Sequence, residues 1–154
     1  MIKYLFSNVD KVNGFNEQQI KYLSIDLKTC KSILFVPGDY DKEKYIIYKD
    51  KIIGWFENID IIFKEKHLVS LDGELKCYDA IFLMGGNPIN QIEIINKINL
   101  KNIINKAKVV IGVSAGAINL SKEAIYFNDY NKKVEMYDGI GLTDINVYPH
   151  LKYN

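Results

Sequence analysis

The sequence predicts an α/β protein, three layers α/β/α around a mainly parallel central sheet, in a single domain over residues 1–154. Three observations predict it. Two strand-like runs, Ala80–Met84 and Val109–Val113, are apolar on both faces, as strands covered by helices on either side must be. Amphipathic helical patterns alternate with the strand-like runs, the signature of parallel strands joined by crossover helices. Each of the three prolines, Pro37, Pro88 and Pro149, stands at the end of an apolar run, where loops belong. A chain of 154 residues suits one core rather than two.

Taken in order, Tyr4–Phe6 reads as a first strand. Asn16 caps a helix beginning at Glu17, with Ile20, Leu23 and Leu27 on one stripe. The strand Ser32–Val36 stops at Pro37-Gly38, and from Asp41 a helix places Tyr45, Tyr48, Ile52 and Phe56 on one side, with Trp55 as a core aromatic. Asp60–Phe63 returns to strand character. Val69–Lys76 carries Asp72-Gly73 between short alternating runs and predicts a tight hairpin. The strand Ala80–Met84 ends in Gly85-Gly86-Asn87-Pro88, and a helical stretch follows with Ile92, Ile95, Leu100, Ile103 and Ile104 facing inward. Val109–Val113 is the most buried-looking strand, and a helix carrying Ile118, Leu120 and Ile125 follows it. Asp144–Tyr148 is a short strand-like run ending in proline.

Composition excludes several classes. Hydrophobic residues make up 48% and charged residues 25%, with 20 basic against 19 acidic side chains, which describes a foldable chain with no electrostatic claim on nucleic acid. All 20 basic residues are Lys, so bidentate guanidinium recognition of a carboxylate or phosphate is absent. Cys30 and Cys77 read as buried, reduced thiols. The N-terminal apolar run is too short for a secretory signal and no run approaches the ~20 residues of a membrane span, so a cytoplasmic protein without membrane contact is expected. No cofactor or metal is expected.

The chemistry concentrates at Gly112-Val113-Ser114-Ala115-Gly116. Gly-x-Ser-x-Gly between an apolar strand and a helix is the nucleophile-elbow pattern, in which small neighbours permit a turn so sharp that the hydroxyl projects. The helix amides beyond it favour developing negative charge, with Ala115 as one oxyanion donor and Gly86, in the neighbouring turn, as a second. Such a serine needs a base. Of the two histidines, His67 lies in a polar run and reads as a surface residue, leaving His150. Glu123, Asp129, Glu135, Asp138 and Asp144 are all acids that spacing leaves open as the third member. An α/β-hydrolase is excluded, because only 40 residues follow Ser114.

Phe82–Asn87, Ile111–Ala117 and Gly139–His150 together resemble the peptidase E family, the S51 serine peptidases. The resemblance implies a class I glutamine amidotransferase-like, flavodoxin-like fold. It implies Ser114 as nucleophile, His150 as general base and Asp129 as the acid, and an oxyanion amide in the Gly-Gly-Asn turn, at Gly86 or its neighbour, with Asn87 at the substrate. The reaction implied is hydrolysis of short peptides, as by a dipeptidase, through an acyl-enzyme. Serine rather than cysteine in the turn disfavours glutamine amidotransfer. Members of the family usually continue past the Pro-His motif and include an arginine that reads an acidic substrate. This chain has no arginine, and the expectation is a form lacking the C-terminal portion, with a homo-oligomer covering the exposed sheet edge. The alternatives are a non-catalytic binding or assembly module of the same fold, or an esterase or amidase with the same triad.

Overall fold

The computed structural model describes residues 1–73 and 75–149. Five parallel strands form the central sheet: β1 (Ile2–Phe6), β2 (Ser32–Gly38), β3 (Glu65–Leu68), β4 (Ala80–Gly86) and β5 (Val109–Val113), in the order β1-β5-β4-β2-β3. Alternate side chains of the inner strands feed two cores. Ile33, Phe35, Phe82, Met84, Val109 and Ile111 pack on one side with residues of α1 (Glu17–Asp26) and α2 (Lys42–Glu57). Leu34, Val36, Ile81, Leu83 and Val110 pack on the other with α3 (Pro88–Lys97), α4 (Lys101–Ile104) and Leu120 of α5 (Ala115–Leu120). Period-two alternation with both faces buried is the reason these strands read as continuous apolar runs.

The cap at Asn16 acted as expected. The Asn16 side chain accepts from the Gln19 amide at 2.8 Å while Gln19 Oε1 accepts from the Asn16 amide at 2.9 Å, a capping box. Two prolines depart from the loops expected of them: Pro88 is in the first turn of α3, where a missing N–H costs nothing, and Pro37 lies within β2, at the register shift between Val36 and Gly38.

Other expectations are corrected. Asp60–Phe63 is not a strand: Asp60 takes a left-handed φ of 59°, and the Ile61 amide reaches back to the Phe56 carbonyl at 2.9 Å, ending α2 in a Schellman-like reversal. Ile61 and Phe63 are buried and Ile62 is exposed, so the alternation is met by packing alone. The edge strand forms just beyond, at Glu65–Leu68, beside β2. Among the described residues Val69–Lys76 forms no hairpin. Ser70–Gly73 closes one turn, and Val69 donates to Phe35 as an extension of β3. The helix after Ser114 stops at Leu120, so Ile125 is not on it. It lies in β6 (Glu123–Asn128), antiparallel to β7 (Lys133–Asp138) in a separate two-stranded sheet, because Ile125, Tyr126 and Phe127 favour a pleated surface. Asp144–Tyr148 forms no strand. Cys30 is buried but Cys77 is exposed, in the irregular approach to β4. Tyr48, on the α2 stripe, is 40% exposed and faces a cleft.

Asp79 ties the starts of three strands together. Its carboxylate accepts from the Lys31 amide at 2.8 Å and pairs with Lys108 at 3.3 Å, while its own amide donates to Ser32 Oγ at 2.9 Å. The Lys31 amide foremost, and then Lys108, hold the Asp79 carboxyl below its ordinary value. A depressed carboxylate stabilises the fold above its unfolded pKa, about 3.9, and that contribution disappears as pH falls through the lower folded value. Denaturant unfolding of Asp79→Asn should therefore lie below the native protein by a constant margin above pH 5, narrowing below about pH 4; a margin independent of pH would refute this.

Candidate active site

Adjacent strands β2 and β4 send their following helices, α2 and α3, to opposite faces of the sheet. A crevice opens at the carboxyl ends of strands where helices part in this way. Here it is a cleft of about 340 Å³ beside Ser114, reaching Gly85 and Gly86 of β4, Val113 of β5, Tyr45, Tyr48, Ile52 and Trp55 of α2, and Asn8 and Val9 after β1.

Ser114 sits between β5 and α5 with φ 54° and ψ −109°. A non-glycine residue pays for that backbone conformation, of order 1–3 kcal/mol, and holds it only where its surroundings over-determine it. The surroundings here are specific. The Ser114 amide donates to the Phe6 carbonyl at 2.8 Å, and its carbonyl accepts from the Ile118 amide at 3.1 Å. A Cβ on Gly116 would lie 2.2 Å from the Leu83 carbonyl oxygen, and one on Gly112 would lie 2.7 Å from the Gly116 backbone. Both glycines therefore let α5 press onto β4 and β5, which forces the sharp turn between them.

The second turn is built the same way. Gly86 has φ 143°, and a Cβ there would stand 2.2 Å from the Tyr45 hydroxyl and 2.9 Å from Gly38 Cα. The Tyr45 hydroxyl is shared between the Gly85 carbonyl, at 3.1 Å, and the Asp39 carboxylate, at 3.2 Å. Burial, and then the Asp39 charge, push the Tyr45 phenol well above its ordinary value, so it remains a donor throughout the physiological range. The Asn87 amide donates to the Gly38 carbonyl at 3.1 Å. Gly85 and Ser114 meet across the cleft: a Cβ on Gly85 would be 3.7 Å from Ser114 Cβ, an ordinary contact.

Beneath both turns lies a polar network invisible in the periodicities. Gln91 of α3 and Asn119 of α5 are fully buried. Gln91 Nε2 donates to the Met84 carbonyl at 2.8 Å; Asn119 Nδ2 donates to Gln91 Oε1 and to the Pro88 carbonyl, each at 3.0 Å; and the Tyr137 hydroxyl donates to Asn119 Oδ1 at 2.6 Å. The segment after β7 is fastened to the same helix. Ile140 and Leu142 amides donate to the Asn119 and Leu120 carbonyls at 2.7 and 2.9 Å, and Ser121 Oγ donates to the Ile145 carbonyl at 2.6 Å.

Of the expected site residues, Ser114 and Gly86 line the cleft, and Ala115 is the buried first residue of α5. Asn87 lies outside the cleft lining: its Oδ1 caps α3 by accepting from the Ile89 and Asn90 amides at 2.9 and 3.1 Å, the role its type favours before a helix. Asp129 is exposed in the turn joining β6 to β7 and is not part of the cleft wall. Glu123 and Asp138 are exposed at the base of the same hairpin, Glu135 is half-buried on β7, and Asp144 is exposed. His150 lies outside the described residues. His67 is exposed on β3, its Nδ1 2.8 Å from the Tyr78 hydroxyl. Among the described residues no cluster of three His, Cys, Asp or Glu side chains is arranged to hold a metal ion, and no helix is long and apolar enough to cross a membrane.

The sequence profile of peptidase family S51 matches residues 5–154. The chain belongs to peptidase family S51. Among solved structures, the S51 chain is similar to a peptidase from an acI-B1 Actinobacterium, with a TM-score of 0.58 and 19% identity over 86% of this chain. It spans 62% of that peptidase's length. At this identity the likeness establishes the shared fold, a mainly parallel α/β sheet. No curated protein matches in sequence.

Proposed function

We propose that this S51 chain is a serine peptidase acting on short peptides, with Ser114 as nucleophile. The observation that carries the proposal is the Ser114 backbone: a strained, positive-φ serine at a strand-to-helix turn, opening on a cleft whose far wall is a glycine turn. This is the geometry of a nucleophile elbow, and strain of this kind accumulates where a side chain must be presented to a reacting group.

In the reaction, the Ser114 hydroxyl gives its proton to His150 as Oγ bonds to the peptide carbonyl carbon. The negative charge on the carbonyl oxygen is met by the amides of Gly86 and Ala115. Collapse breaks the C–N bond, the proton passes to the departing amine, and water then releases the acid from the ester by the same steps in reverse order. The chain leading to His150 supports this assignment. It is fastened at Ile145 to Ser121, at the end of α5. That helix is only about 9 Å long, and the five residues from Ile145 to His150 span up to ~17 Å.

Labelling with a fluorophosphonate probe, together with dipeptide hydrolysis, tests the proposal. Native protein should label and turn over, while Ser114→Ala and His150→Gln should each lose activity by about 10³-fold or more. Well-folded native protein that neither labels nor hydrolyses would instead be a binding module. Asp129 is the proposed acid: a loss in Asp129→Asn comparable with that in His150→Gln supports it, and an unchanged rate removes it from the site.

A further inference from the structure

The cleft beside Ser114 has two characters. Its wall is apolar and aromatic: Val9, Ile52, Trp55, Phe82 and Met84 line it, with Tyr48 at the mouth. Trp55 is braced by Phe15, ring centroids 5.7 Å apart and nearly perpendicular, so it stands as a fixed wall. The charged side chains in the lining are three lysines, Lys11, Lys44 and Lys51.

The carboxylates of Asp10, Asp39 and Asp41 stand near this rim without entering the lining; Asp41 Oδ1 accepts from the Lys44 amide at 3.2 Å. Asp39 lies 3.7 Å from Lys44 and accepts from the Asp41 amide at 2.8 Å. Asp10 accepts from the Val12 and Asn13 amides and the Asn13 side chain at 2.8–3.0 Å. Lys44 also lies over the Tyr45 and Tyr48 rings at 5.4 and 5.8 Å. The charges that line the cleft itself are thus all positive, above an apolar floor, with the acids held outside it.

A short peptide has two ends of opposite charge. Its free amine is repelled by such a rim and its free carboxylate attracted, so charge sets the direction in which the peptide lies. We propose that the cleft receives the C-terminal residue of the substrate: a large apolar or aromatic side chain against Ile52 and Trp55, its α-carboxylate at Lys11, Lys44 and Lys51. The inference rests on the peptidase reading above, in which this residue is the departing amine. It assigns the specificity to the leaving side of the bond, through apolar contact and ammonium groups that need no guanidinium.

Trp55 is the chain's single tryptophan, so its emission reports occupancy of the cleft without turnover. Ser114→Ala protein, excited at a wavelength selective for tryptophan, is titrated with alanyl-phenylalanine, alanyl-glycine, phenylalanyl-alanine and alanyl-phenylalanine amide. Burial of a phenyl side chain predicts that alanyl-phenylalanine binds about tenfold or more tighter than alanyl-glycine. It should also bind severalfold tighter than its amide, a margin that shrinks with added salt and falls below about twofold when Lys11, Lys44 and Lys51 are all changed to Gln. Equal affinity for alanyl-phenylalanine and phenylalanyl-alanine would overturn the assigned direction, and indifference to amidation would overturn the role of the lysines.

The two readings fail separately. This order of binding in a protein whose native form neither labels nor hydrolyses leaves the cleft assignment standing and removes the reaction. Hydrolysis without this order does the reverse.

Discussion

Changing Ser114 to glycine is expected to abolish hydrolysis and to make the protein more stable. Serine is held at φ 54°, and glycine adopts positive φ at little steric cost. Relief of that strain, of order 1–3 kcal/mol, is offset by the greater freedom glycine brings to the unfolded chain, roughly 0.5–1 kcal/mol. The net gain is about 1 kcal/mol, or 2–4 °C in Tm for a domain of this size. Ser114→Ala is the control. Alanine keeps a Cβ and therefore keeps the strain, so it should lose activity to the same extent without the rise in Tm. Thermal unfolding of the two variants beside the native protein makes the comparison. Equal melting temperatures for Ser114→Gly and Ser114→Ala would mean that the turn stores no strain worth relieving, and would remove the backbone of Ser114 as support for its role as nucleophile.

Removing the Asn119 side chain is expected to be among the most damaging single truncations in the fold. Asn119→Ala strips a partner from Gln91 Oε1, from the Pro88 carbonyl and from the Tyr137 hydroxyl at once. Each is a polar group in a water-poor setting, and leaving one unsatisfied costs about 1–3 kcal/mol. A loss of about 3–5 kcal/mol is therefore expected in urea unfolding, a large part of the stability of an ordinary domain. Tyr137→Phe removes one hydrogen bond and should cost nearer 1 kcal/mol, plus the unmet Asn119 Oδ1. In a double-mutant cycle Gln91→Met and Asn119→Ala should couple by 1 kcal/mol or more, since the two share one network. Additive effects would show that each amide is satisfied independently. The network also joins the carboxyl end of β4 to α5, so the pair of turns facing the cleft should loosen together, and kcat should fall in Asn119→Ala protein that remains folded.

Several features of this protein are already local in its sequence. Four core patterns, Ser32–Val36, Ala80–Met84, Val109–Val113 and the α3 stripe, are legible because burial on both faces of a strand or on one stripe of a helix leaves a periodic trace. The Asn16 cap is legible for the same reason, since a cap acts within three residues; Asn87 caps α3 just as locally, yet the resemblance implied a place at the substrate for it. Gly112-Val113-Ser114-Ala115-Gly116 located the serine, and three motifs in order pointed to the family to which the chain belongs.

Where local pattern misled, a distant partner had decided the outcome. Asp60–Phe63 alternates like a strand, yet Ile61 and Phe63 enter the core from a reversal after α2, and β2 pairs with the more polar Glu65–Leu68 instead. Ile125 has helical spacing from Ile118, but its neighbours pair with Lys133–Asp138. The composition of a segment does not record which other segment it will meet.

The sequence by itself determined the α/β class, the five-strand core apart from its β3 edge, and the serine at the end of a central strand, all of which follow from periods of two to four residues. The tertiary structure alone decided the site. Ser114 is strained because α5 is pressed onto β4 through Gly116; Gly86 is required because the Tyr45 hydroxyl lies where its Cβ would be; and Gln91 meets Asn119 across 28 residues. The cleft acquires its aromatic wall and lysine rim only when α2 and the β1–α1 loop close over the strand ends. Each of these is a contact between residues far apart in the chain, and no local period encodes such a contact.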